Sequence, residues 1–149
     1  MLGNTIRDPQ KIEGDIIETP GLGLLNVSTT MLPEKKLQNV SGKHISSGTE
    51  RSGYEMHIGK TIGPDCKNPL LMIDGKGSGA VGTNNRISGC YLHGMFASDT
   101  FRSKFLHNLN SISVLSDYQG SVNNTLDELA KYLHQNMDTR QFLNLTRSL

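Results

Sequence analysis

The apolar residues of this chain change their spacing near residue 98, and that change limits the fold more than any other feature. Beyond it they recur at helical intervals. Phe101, Phe105, Leu109 and Ile112 are separated by four, four and three positions, with Ser98 or Asp99 placed to cap a first helix. After the turn-like Asp117-Tyr118-Gln119-Gly120, a second amphipathic stripe runs through Val122, Leu126, Leu129, Leu133 and Met137. Thr125 with Glu128 has the form of a capping box, so this helix is expected to start at either end of Val122–Thr125. Asp138 with Gln141 repeats the form ahead of a short terminal helix carrying Phe142 and Leu145.

Before residue 98 the reading is β with loops. The stretch from Gly21 to Leu32 is apolar and β-branched and is stopped by Pro33, which fits one or two strands. Lys43 to Gly53 is polar and reads as a turn or mobile loop. Gly53-Tyr54-Glu55-Met56-His57-Ile58-Gly59 suits a strand, and Leu70-Leu71-Met72-Ile73 suits a short one ending at the turn Asp74-Gly75. Ile87 to Phe96 reads as a buried strand running into a loop. Strands first and helices last suggest α+β, with a mixed α/β sheet as the competitor.

Leu, Ile, Val and Phe make up about a quarter of the chain, enough for one modest core in a 149-residue unit. A net charge of +1 gives no electrostatic reason for a nucleic-acid or anionic-membrane partner. No run approaches the roughly 18 apolar residues of a membrane span, and the first residues do not form a secretory signal. The expected compartment is the cytoplasm, where Cys66 and Cys90 are two free thiols.

Gly77-x-Gly79-x-x-Gly82 has dinucleotide-fingerprint spacing, but Thr83-Asn84-Asn85-Arg86 follows where a helix must open, so a flexible surface loop is the reading. His93, in Tyr91-Leu92-His93-Gly94, lies where an apolar strand gives way to glycine. That suits either proton transfer at neutral pH or a hydrogen-bonded structural histidine. Glu55 and His57 share one face of their strand, lining a pocket or facing solvent at an edge. His44, His107 and His134 read as surface residues. Cys90, three before His93, points to the opposite face, and Cys66 has no candidate base nearby.

Five motifs in order carry a resemblance: Gly21-Leu22-Gly23-Leu24-Leu25; Thr29-Thr30-Met31-Leu32-Pro33-Glu34-Lys35; Gly53 to Thr61 with its Tyr-Glu-x-His-x-Gly; Gly89-Cys90-Tyr91-Leu92-His93-Gly94-Met95-Phe96; and Phe101-Arg102-x-x-Phe105-Leu106. With the tail from Leu126 to Asp138, the chain resembles the C-terminal glutamine amidotransferase domain of the cobyric acid synthase family. The resemblance implies a class I, flavodoxin-like α/β domain, 1–149 being its C-terminal portion and incomplete on its N-terminal side. Glutamine would be its substrate. The ammonia would pass to an ATP-dependent ligase domain of the same polypeptide, which amidates carboxylates of a corrinoid.

The resemblance makes His93 the base of a nucleophilic cysteine in a Cys-Gly-Gly-x-Gln-Met-Leu-Gly elbow, of which Met1-Leu2-Gly3 matches only the end. Tyr54, Glu55 and His57 become possible substrate or supporting residues. Met95 stands where a His-x-Glu arrangement would have its carboxylate, which leaves Glu55 as the candidate partner of His93. No cofactor or metal is expected on this chain, ATP and magnesium belonging to the ligase domain. Lacking the elbow, the chain is expected to be inactive alone and to self-associate through exposed core. The alternatives are a non-catalytic corrinoid-binding or interaction module, and a related amidotransferase acting on cobyrinic acid or cell-wall lipid precursors.

Overall fold

The computed structural model of the protein describes residues 1–112 and 117–146; within the expected unit 1–149, residues 113–116 and 147–149 lie outside the described ones. Two long strands dominate it, β3 (Ser28–His44) and β4 (Glu50–Ile62), paired antiparallel. Around them lie β1 (Thr5–Arg7), β2 (Glu18–Pro20), β5 (Leu71–Ile73), β6 (Lys76–Ser78) and β9 (Leu92–His93), in the order β2-β1-β3-β4-β9 with β5 on β3 and β6 on β5. β7 (Ala80–Val81) and β8 (Ser88–Gly89) form a separate two-stranded ladder. Three helices follow: α1 (Asp99–Asn108), α2 (Tyr118–Asn136) and α3 (Thr139–Thr146).

The architecture is mixed α/β, with strands preceding helices as the spacing indicates. The sheet of this portion is mixed rather than all-parallel. Among the described residues β1 on β3 is its parallel pair, and the others are antiparallel. Antiparallel sheets can leave one face to water, and this one does. Val40 and Leu92 are buried, whereas Leu37 and Tyr54, which point the other way, are exposed.

Pro33 does not stop β3. The register slips between Thr30 and Lys35, and proline, which cannot donate to the ladder, is tolerated at such an irregularity. Gly59 lies opposite with φ +111°, and a Cβ there would sit 2.5 Å from the Thr30 carbonyl oxygen, so the close approach requires glycine. The segment expected to be a loop, Lys43 to Gly53, is mostly strand, its turn confined to Ile45–Thr49. His44 is therefore buried rather than on the surface: its Nδ1 shares a 2.8 Å hydrogen bond with the Ser47 hydroxyl, and its ring meets Phe101 edge-on at 5.0 Å.

The expected strand from Ile87 to Phe96 breaks into β8, β9 and a 3₁₀ turn over Met95–Ala97. The glycine-rich segment is not a free loop either, since it contains β6 and β7. Ser98 caps α1 and Asp138 accepts from the Gln141 amide, both as expected. α2 starts earlier than its Thr125–Glu128 pair suggests: Asp117 caps it through the Gly120 amide at 2.8 Å, and Thr125 bonds the Ser121 carbonyl instead. Val40, Leu71, Ile73 and Leu92 form one core cluster, and Leu25, Val27 and Ala80 a second. No residue of α2 is buried.

Candidate active site

Residues opposite one another on β3 and β4 carry the polar centre of the molecule. Gln38 faces Glu55 and Lys36 faces His57 across the ladder, which puts all four side chains on the core side of the sheet. Glu55 is 7% exposed. Its Oε2 pairs with Lys36 Nζ and accepts from Gln38 Nε2 at 3.5 Å, while Oε1 lies 3.6 Å from His57 Nε2. These contacts are what make a buried carboxylate tolerable there. The Nδ1 of His57 lies 2.8 Å from the Gly59 carbonyl and donates to it, and its ring stacks on Tyr91 at 4.3 Å. From Tyr91 a hydroxyl chain continues to Thr61 at 2.5 Å and to Thr29 at 2.6 Å. A cavity of about 420 Å³ opens over this cluster, walled on its apolar side by Leu25, Val27 and both cysteines.

His93 lies elsewhere. β9 pairs with β4 so that Tyr54 faces His93 and Glu55 faces Leu92. Neighbouring residues on a strand point to opposite sides, so Glu55 and His57 do share one face, and that face is buried. His93 projects from the other. Its imidazole is exposed and lies parallel to the Tyr54 ring, 4.9 Å between centroids and 6° between planes. Glu55 is thus not the carboxylate partner of His93: the strand that offers both residues turns them apart. His93 also edges a second depression, of about 670 Å³, with Phe96, Phe101, Phe105 and Tyr118. Spacing within one strand finds Glu55 and His57. It misses Lys36, Gln38, Thr61 and Tyr91, whose only signal is alternation along β3 and β4 once their register is known.

Cys90 packs against the Leu92 core cluster. The strand is broken between Gly89 and Leu92, however, so alternation does not set Cys90 apart from His93, and both line the depression beside β9. Burial pushes the Cys90 thiol above the ordinary range, opposed by a backbone hydrogen bond at Leu92 and reinforced by Glu55. Burial also raises Cys66, with Asp65 adding to it. A group held protonated in the folded state loses stability as pH rises. The folded chain is therefore expected to weaken above about pH 8.5, and alkylation of both thiols by iodoacetamide is expected to lag a free cysteine at pH 7.5. Mass spectrometry of a pH series checks this; reaction as fast as free cysteine at pH 7.5 contradicts it. Among the described residues no group of three His, Cys, Asp or Glu is placed to hold a metal ion, and no helix is long and apolar enough to cross a membrane.

A sequence profile of CobB/CobQ-like glutamine amidotransferase domains matches residues 1–101. The chain belongs to this family. Members have the class I amidotransferase fold, to which the mixed α/β architecture corresponds. The chain is 47% identical over 147 residues to a cobyric acid synthase of Cereibacter sphaeroides, covering 99% of this chain and 31% of that protein. It is 42% identical over 147 residues to the cobyric acid synthase of Rhodobacter capsulatus, 99% of this chain and 31% of that one. For the cobyric acid synthase of Rhizobium johnstonii the figures are 41% over 145 residues, 97% and 30%. The chain spans about a third of the length of the curated relatives it matches. In this amidotransferase family member the likeness covers 147 of 149 residues and so runs on past the profile into the segments that form α2 and α3 here.

Proposed function

We propose that this chain forms part of a glutamine-hydrolysing domain in a cobyric acid synthase, with His93 as its general base. The reading is carried by one observation, likeness over nearly the whole chain to proteins of that name. His93 would take the proton of a cysteine thiol borne by a segment preceding Met1. The thiolate would attack the carboxamide carbon of glutamine, and the imidazolium would return the proton to the departing ammonia. The glutamyl thioester left on the cysteine would then be hydrolysed by water. The exposure of the His93 ring supports this, because a base must be able to reach the thiol it deprotonates. Tyr54 would support the base on its face of the sheet, while Glu55 and His57, which line the cavity on the buried face, would act from the other side of the strand. The ammonia would pass to an ATP- and magnesium-dependent ligase portion of the polypeptide and amidate corrinoid carboxylates. The compartment would be the cytoplasm.

Neither cysteine of the chain suits the nucleophile's role, since a catalytic thiol is activated by a lowered pKa and burial raises both of these. The 149-residue chain incubated with glutamine is expected to release ammonia no faster than buffer. Activity that disappears on Cys90→Ala or Cys66→Ala would overturn the assignment. In the full-length enzyme, His93→Ala is expected to lower glutaminase turnover by about 10²–10⁴-fold, the usual contribution of a positioned base.

A further inference from the structure

A general base works best when a second group fixes the plane of its imidazole, and hydrogen-bonded carboxylates commonly do so. His93 has none. Met95 occupies the second position after it, Glu55 belongs to the opposite face, and no carboxylate oxygen of a described residue lies within 4 Å of its ring nitrogens. What it has is Tyr54. The two residues are directly opposed in the β4–β9 ladder, and their rings lie parallel within 6° at 4.9 Å.

The backbone beneath this stack is also pinned. A Cβ on Gly53 would lie 2.1 Å from the His93 carbonyl oxygen, so only glycine lets β9 come this close. Gly94, at φ +83°, then turns the chain away immediately after the histidine. Approach at Gly53 sets where His93 starts, and the Tyr54 ring lies along the face of its imidazole.

We propose that Tyr54 is a positioning residue for His93, its ring face fixing the plane of the imidazole in place of a hydrogen-bonded carboxylate. This rests on the reading of His93 as the base. A ring stacked on the flat face leaves both ring nitrogens free at the edge, where a thiol proton must be taken and returned. An aromatic face also accepts the imidazole in its neutral and its protonated form, the second as a cation over a π system. The glutamate of the same motif therefore serves the buried cluster, and the tyrosine serves the base.

Proton NMR of the 149-residue chain tests the placement without requiring turnover. The His93 Cδ2–H and Cε1–H resonances are expected to be shifted upfield by the Tyr54 ring. Tyr54→Phe should retain that shift and Tyr54→Leu should lose it, while the His57 resonances, stacked on Tyr91, stay in place in both and report an intact fold. An unchanged His93 shift in Tyr54→Leu overturns the proposal, as does its loss in Tyr54→Phe. In the full-length enzyme, Tyr54→Leu is expected to lower kcat at least tenfold with KM little changed, and Tyr54→Phe to restore it. Equal loss in both variants, or a change in KM alone, also overturns it. A stack seen by NMR beside an active His93→Ala enzyme would instead overturn the assignment of the base.

Discussion

Phe101→Ala is expected to reduce the unfolding free energy by about 3–5 kcal/mol, the range for truncating a buried aromatic residue. Phe101 is 2% exposed and is the buried residue of α1. It meets the His44 ring edge-on at 5.0 Å, Phe96 at 5.2 Å and Phe105 at 5.9 Å, so one side chain joins the end of β3, the 3₁₀ turn after β9 and the helix. Its removal leaves a cavity that these three elements cannot all close at once. It also frees α1, whose remaining aromatic contacts are half exposed. At roughly 2–4 °C per kcal/mol for a chain near this size, the melting midpoint should fall by about 10 °C. Urea denaturation measures the free energy. Ile16→Ala, at an exposed loop position away from the helices, is the control and should fall within about 0.5 kcal/mol of the unsubstituted chain. A loss at Phe101 no larger than at Ile16 would mean that α1 is not anchored there.

The purified chain is expected to associate with itself at micromolar concentration. The stripe of α2 that the sequence marks as apolar has no cover among the described residues: Leu126 is 57% exposed, and Leu129, Leu133 and Met137 are also open to solvent, as are Phe142 and Leu145 on α3. Full burial of such a side chain contributes about 1.5–3 kcal/mol, so a few of them outweigh the entropic penalty of pairing two molecules. In a purified sample the surface able to cover them is another copy of the same chain. The sheet edges are poorer candidates for joining, because β2 and β9 are only three and two residues long and short edges make weak templates. Sedimentation equilibrium is expected to give a mass above the 16.3 kDa of one chain. Replacing both Leu126 and Leu133 by Glu should return it to that value. A monomer before substitution, melting cooperatively, would refute this.

Local chemistry was enough to find the helices but not their ends: α1 stops at Asn108, short of the expected Leu109 and Ile112, and α2 begins at Tyr118, ahead of Val122. The intervals of Phe101 and Phe105 and of Leu126, Leu129 and Leu133, with caps at Ser98 and Asp138, are set by 3.6 residues per turn and by amides that need an acceptor nearby. The sharing of one face by Glu55 and His57 follows in the same way from the two-residue period of a strand. The continuation of β3 past Pro33 was not legible, because it depends on a register slip opposite Gly59, nearly thirty residues away along the chain. Nor could local spacing tell whether that shared face was buried. The sequence by itself determined the family, the helical periods and the candidacy of His93. Only the tertiary structure decided that Glu55 answers to Lys36 and Gln38 while His93 answers to Tyr54. Which residues face one another across a sheet is fixed by the pairing of distant strands, and a shift of one residue in that pairing turns every side chain to the other face.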